Sequence, residues 1–205
     1  MAYVLSKIYD NFISEVVELE RIVLEKSSED PTLERDTHIE GCYIRFVVSW
    51  ELFIEEYFLR CSCIGTTRSK KQIKPNHTPF RNSSKAFKSI NKNRRDRNVD
   101  YIDWLDSGIM KQRINDHFRK NSRVQKINLS TEKMYELVVI RNAIAHRSQN
   151  AILKFEKFVK DQLGYLATLN PTMADLLIQK KRRTNKLIFV ILTEHFKNLA
   201  NELTK

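Results

Sequence analysis

The segment Val4-Leu5-Ser6-Lys7-Ile8-Tyr9-Asp10-Asn11-Phe12-Ile13-Ser14-Glu15-Val16-Val17-Glu18-Leu19-Glu20-Arg21-Ile22-Val23-Leu24-Glu25 sets the fold class. Leu5, Ile8, Phe12, Val16, Leu19 and Val23 recur at steps of three and four, the spacing that lines one side of a helix, and polar residues fill much of the rest. This segment predicts a first amphipathic helix. Ser27-Ser28-Glu29-Asp30-Pro31 ends it.

The same reading extends along the chain. Glu40 to Ile64 predicts a second and most apolar helix, with Gly65 as its stop. Tyr101 to Arg119 is a third candidate, Ser130 caps a fourth that runs to about His146, and Ile152 to Leu169 is a fifth that ends before Asn170-Pro171. Lys186 to Leu203 closes the chain, and Lys180-Lys181-Arg182-Arg183 before it reads as a solvated turn. Only 4 Gly and 4 Pro occur among 205 residues, too few for the turns of a sandwich or barrel. With 41% hydrophobic residues and no internal repeat, the expectation is one all-α domain over residues 1–205.

Charge is concentrated in one place. The net charge is +11, and residues 66–100 hold Arg68, Lys70, Lys71, Lys74, Arg81, Lys85, Lys88, Lys92, Arg94, Arg95 and Arg97 against only Asp96 and Asp100. Pro75, Pro79 and many Ser and Asn interrupt any apolar period, so the stretch reads as a long basic loop or insertion between the second and third helices. A polyanion such as RNA is the partner it suits, with Lys70, Lys71, Lys74, Arg81, Arg94, Arg95 and Arg97 as candidate phosphate contacts. Phe80 and Phe87 either stack on bases or tuck against the bundle.

Several function classes lack their residues. The start of the chain has no signal-peptide pattern, and Tyr43 to Leu59 is broken by Arg45, Glu51, Glu55 and Glu56, so a cytoplasmic protein without a membrane span is expected. Cys42, Cys61 and Cys63 form no Cys-x-x-Cys pair and are expected to be reduced thiols, not zinc ligands. Asp36-Thr37-His38-Ile39-Glu40 reads as a helix start more readily than a metal cluster, and His77, His117 and His195 show no partner pattern. There is no Gly-rich phosphate loop and no convergent carboxylate set for a two-metal nuclease. Neither metal nor cofactor is expected.

The fourth helix carries the unusual residues. Met134, Leu137, Val138, Ile144 and Ala145 share one face, and Arg141 is expected to complete that stripe. A guanidinium that stays charged at any ordinary pH needs an anion, either a carboxylate of a neighbouring helix or an incoming phosphate. His146 lies five residues on, about 140° around an ideal helix. Convergence of the two therefore requires a helix that ends near His146, or a two-fold dimer in which two such helices meet.

Arg141-Asn142-Ala143-Ile144-Ala145-His146 resembles the motif of the HEPN superfamily: an arginine, commonly followed by a polar residue, then a histidine after four to six residues. Ser49-Trp50-Glu51-Leu52-Phe53-Ile54-Glu55 resembles the family's earlier long helix, where a glutamate often accompanies an apolar run. The resemblance covers about Glu40 to Ile64 and Ser130 to Leu166, is closest to the ribonuclease-like branch of prokaryotic defence and toxin systems, and leaves the basic stretch unmatched. It implies a HEPN-like helical bundle and a homodimer. It also implies a metal-independent endoribonuclease in which the ribose 2′-hydroxyl attacks the adjacent phosphate. His146 is then the proton-transfer group and Arg141 the phosphate holder. Asn142 orients either His146 or the scissile phosphate, and Glu51 supports Arg141.

Two alternatives accompany this reading. One is a non-catalytic dimeric RNA-binding or protein-interaction module of the same family. The other is a toxin whose nucleotidyltransferase partner modifies a tyrosine two residues after the histidine; here that position is Ser148, which disfavours that route but leaves room for another protein antitoxin.

Overall fold

A computed structural model describes residues 3–92, 104–163, 172–181 and 183–205. Its described part is mostly helical, in keeping with the all-α expectation. The α-helices are α1 (Ser6–Lys26), α2 (Leu33–Cys63), α3 (Ser83–Lys92), α4 (Ser107–His117), α5 (Thr131–His146), α6 (Gln149–Leu163), α7 (Met173–Ile178) and α8 (Ile188–Thr204). A 3-10 turn over Arg123–Ser130 precedes α5. Three two-residue strands, β1 (Tyr3–Val4), β2 (Gly65–Thr66) and β3 (Gln72–Ile73), form one small sheet, with β1 parallel and β3 antiparallel to β2. No described helix is long and apolar enough to cross a membrane.

The chain divides into two compact units. The first comprises Met1–Phe12, Trp50–Met134 and Asn198–Lys205, and the second Ile13–Ser49 and Tyr135–Lys197. In the first unit Phe12, Trp50 and Phe53 pack ring against ring, and Phe58 meets Trp104 and Phe118. In the second, Phe46 packs edge-on against Phe189 and Phe196, and Tyr43 against Phe189. Such tilted aromatic pairs add to the apolar burial itself.

All six expected stripe residues are buried, Leu5 just before α1 and Ile8, Phe12, Val16, Leu19 and Val23 within it. The second helix begins earlier than its apolar run suggests, because Thr32 caps it: the Thr32 hydroxyl accepts from Arg35 N–H at 3.1 Å and its carbonyl from Asp36 N–H at 3.0 Å. At the other end Gly65 is not the helix stop. Ile64 takes the left-handed turn with φ 91°, and Gly65 starts β2, where a side chain would come 3.1 Å from Cys61 Sγ and 3.3 Å from Leu5 Cδ1.

The described part of the basic stretch, residues 66–92, is not one continuous loop. It contains β3 and α3, and α3 is capped by Asn82, whose Oδ1 accepts from Lys85 N–H at 2.9 Å. Ala86 and Ile90, four apart, bury one edge of α3. The third predicted helix is thus the fourth observed, shortened to Ser107–His117 and capped by Asp106. The short α7 owes its start to a capping box between Thr172 and Asp175, and the predicted end of the fifth helix lies outside the described residues. Of Lys180-Lys181-Arg182-Arg183, Lys181 donates its N–H to the Lys186 carbonyl at 2.9 Å and Arg183 lies in a turn, while Arg182 lies outside the described residues.

Candidate active site

The buried side of α5 is Glu136, Leu137, Val139, Ile140 and Ala143, together with Met134. Val138 and Ile144 are half-buried and Ala145 is exposed, so the apolar stripe is turned from the expected face and Arg141 sits at its border, half-buried, not at its centre. Four consecutive apolar residues, Leu137-Val138-Val139-Ile140, fit more than one helical phase, and tertiary packing chooses between them. One fixed point is the fully buried Tyr43 of α2. Its hydroxyl donates 3.0 Å to the Leu137 carbonyl, one turn before Arg141, and burial together with the nearby Glu136 raises its pKa well above that of a free tyrosine.

Helix α5 ends at His146. Arg147 is left-handed, φ 45°, and its N–H reaches back 3.3 Å to the Ala143 carbonyl. Ser148 opens the next helix: its carbonyl accepts from Ile152 N–H at 2.9 Å and its hydroxyl from Ala151 N–H at 3.3 Å. The position that a tyrosine would need for nucleotidylation is therefore a helix cap. Only Arg147 and Ser148 separate the two helices, and His146 is exposed at the elbow between them.

Three of the expected groups come together here within one chain. Arg141 Nη1 donates to Asn142 Oδ1 at 2.9 Å and lies 3.3 Å from His146 Nε2. A guanidinium only donates, so this contact uses the Nε2 lone pair, the atom that would accept a proton. The long arginine side chain spans the angular offset to His146, the last residue of the helix. A second copy is therefore not needed to bring this arginine and histidine together, which removes the geometric reason for a dimer. Among the described residues no carboxylate lies within ion-pair distance of Arg141. Glu51 is half-buried on α2 and belongs to the first unit, whereas Arg141 belongs to the second.

A carboxylate that the sequence reading passed over does face this elbow. Glu40 of α2, with its side chain 11% exposed, accepts at 2.9 Å from Nη2 of Arg147, which is 65% exposed. Its sequence signal was only a glutamate at the edge of an apolar run.

The basic candidates separate into two groups. Lys70, Lys71, Lys74 and Arg81 are exposed, and among the described residues none pairs with a carboxylate. Arg94, Arg95 and Arg97 lie outside the described residues. Arg68 lies over the Tyr9 ring, 4.0 Å from its centroid, and donates to Asn201. Phe80 is half-buried against the His77 ring, centroids 4.8 Å apart, and Phe87 is half-buried on α3.

His77 and His117, which showed no pattern in sequence, face each other. His77 Nε2 is 3.0 Å from His117 Nδ1, while His77 Nδ1 is 2.8 Å from the Thr78 carbonyl. A carbonyl can only accept, so His77 Nδ1 carries hydrogen, and with both rings neutral His117 Nδ1–H donates to His77 Nε2. Asn76 adds bonds to the His117 and Asp116 carbonyls, at 2.9 and 3.2 Å. Burial, chiefly, and the neighbouring His77 lower the His117 pKa; Asp116 opposes and Arg113 adds to this.

Cys42, Cys61 and Cys63 are buried free thiols. Among the described residues no three His, Cys, Asp or Glu side chains group closely enough to hold a metal ion. No family model, curated protein or solved structure matches the chain.

Proposed function

We propose that the chain is a HEPN-class protein, and within that class a metal-independent endoribonuclease. The observation that carries this reading is the pairing at the end of α5. An arginine without a carboxylate partner among the described residues lies 3.3 Å from the Nε2 of an exposed histidine, with Asn142 holding the same Nη1. A charged group lacking an anion at an open helix end is suited to an anionic substrate.

In the proposed reaction a phosphodiester of RNA takes Arg141 in two parallel hydrogen bonds, which frees the His146 Nε2 lone pair. The 2′-hydroxyl loses its proton to Nε2 as its oxygen bonds to phosphorus, and the bond from phosphorus to the 5′-oxygen breaks. The products are a 2′,3′-cyclic phosphate and a 5′-hydroxyl. Charge gathers on the phosphoryl oxygens in the transition state, so the Arg141 bonds strengthen there. The departing 5′-oxygen also needs a proton, and a second His146 in a homodimer would supply it. That requirement, and not the meeting of Arg141 with His146, is the reason to propose a dimer. A protein antitoxin or other defence-system component is a further proposed partner.

The test is cleavage of RNA by purified protein in EDTA, with the product ends identified, beside the His146→Ala variant. Cyclic phosphate ends from wild type alone support the reading, and cleavage by a well-folded His146→Ala protein overturns it. The four exposed cations Lys70, Lys71, Lys74 and Arg81 also suit a non-catalytic RNA-binding module. In that case RNA binds, survives intact, and is held equally by wild type and His146→Ala.

A further inference from the structure

Arg147 occupies a backbone position usually given to glycine or asparagine, since a left-handed φ of 45° brings a side chain close to its own carbonyl. The compensation visible at this position is the ion pair with Glu40, 107 residues away in sequence. Glu40 is nearly buried, and a buried carboxylate is costly unless paired. Three residues further along α2, Tyr43 holds the Leu137 carbonyl. Both ties belong to the second unit. They grip α5 at Leu137 and just past its end at Arg147, and Arg141, Asn142 and His146 all lie between the two grips.

We infer that Glu40 and Arg147 are positioning residues for the proposed ribonuclease site: their ion pair fixes the last turn of α5, so that His146 Nε2 stays within reach of Arg141. The inference rests on the reading of that site as a nuclease centre, but its geometry is testable without activity. With Glu40 paired to Arg147, the carboxylate that packs at this elbow is occupied and Arg141 is left to a phosphate. If the pair broke, Arg147 could leave its left-handed conformation, the turn after Ala145 would fray, and the histidine would lose its fixed distance from the arginine. Misplacement of a catalytic group by about 1 Å can cost on the order of 100-fold in rate.

The experiment compares wild type, Glu40→Gln, Arg147→Gln and Arg147→Lys in the full chain. The physical readouts are nuclear Overhauser contacts between the His146 ring and the Arg141 side chain and amide exchange over Ala145 to Ser148; the kinetic readout is RNA cleavage in EDTA. Glu40→Gln and Arg147→Gln should lose the ring contact, exchange faster at those amides, and lower kcat by about 10- to 100-fold with little change in KM. Arg147→Lys, which can still reach the carboxylate, should retain most of both. If Glu40→Gln does not fold, Arg147→Gln decides alone, because it changes an exposed side chain. An unchanged His146 contact and unchanged kcat in a folded variant that has lost the ion pair overturn the inference, as does a loss of melting temperature alone. If wild type cleaves no RNA, the nuclease reading fails, and the contact and exchange data still decide whether the ion pair positions His146.

Discussion

The two residues of the proposed chemistry should separate function from stability. His146 is exposed, so His146→Ala should change folding free energy by no more than about 0.5 kcal/mol while cutting cleavage by about 10² to 10⁴. Arg141→Ala should lower the rate by a comparable factor. Since Arg141 stands at the border of the buried face and has no carboxylate to orphan among the described residues, it too should melt close to wild type. Urea unfolding beside the cleavage assay checks both. His117 makes a different prediction. Its pKa in the folded state is depressed below the ordinary 6.5, so below that pH the unfolded chain binds more protons than the folded one. The stability this group contributes is complete above about 6.5 and is lost as pH falls through that value toward the folded pKa. Melting temperatures from pH 8 to 5 should therefore fall more steeply for wild type than for His117→Phe, which cannot titrate. Parallel curves would show that the buried ring does not govern acid stability.

Among the elements, the legible ones were those whose sequence pattern and packing agree. The first helix is the clearest case, with every expected stripe residue from Leu5 to Val23 buried. Helix α3 was missed because, among the residues whose burial is described, it buries Ala86 and Ile90 alone, too few to show a period amid lysines and serines. In α5 the helix and its end at His146 could be read, but the rotation could not, because a run of four apolar residues does not fix a phase. For the basic stretch, replacing Lys70, Lys71, Lys74 and Arg81 together with alanine should weaken RNA binding and reduce the slope of log affinity against log salt by up to about 3. An unchanged slope would place the RNA elsewhere. Gly65→Ala should destabilise the protein by about 1 kcal/mol, since the new methyl group crowds Cys61 and Leu5; denaturant midpoints would show it.

At the scale of the whole molecule, composition and hydrophobic spacing were enough to expect an all-helical chain, because few glycines and prolines leave little else to build. Neither reports which distant residues meet. Glu40 with Arg147 and His77 with His117 are long-range pairs, and no local pattern encodes them. The proposed dimer belongs to this scale as well. Sedimentation equilibrium should give a two-chain mass, and an excess of His146→Ala subunits mixed with wild type should suppress its cleavage, because each proposed site needs a His146 from both copies.

The groups of the site and their supports are built from very different sequence separations. Arg141 is one residue from Asn142 and five from His146, whereas the Tyr43 and Glu40 ties span 94 and 107 residues. When the unfolded chain refolds, the helix that bears the proposed reactive groups can form within about a microsecond. The two ties must wait for a loop of roughly a hundred residues to close, a slower step set by chain entropy. In a stopped-flow experiment the helical circular-dichroism signal should consequently return before cleavage activity does, and the lag between them should measure the time the chain takes to clamp α5 in place.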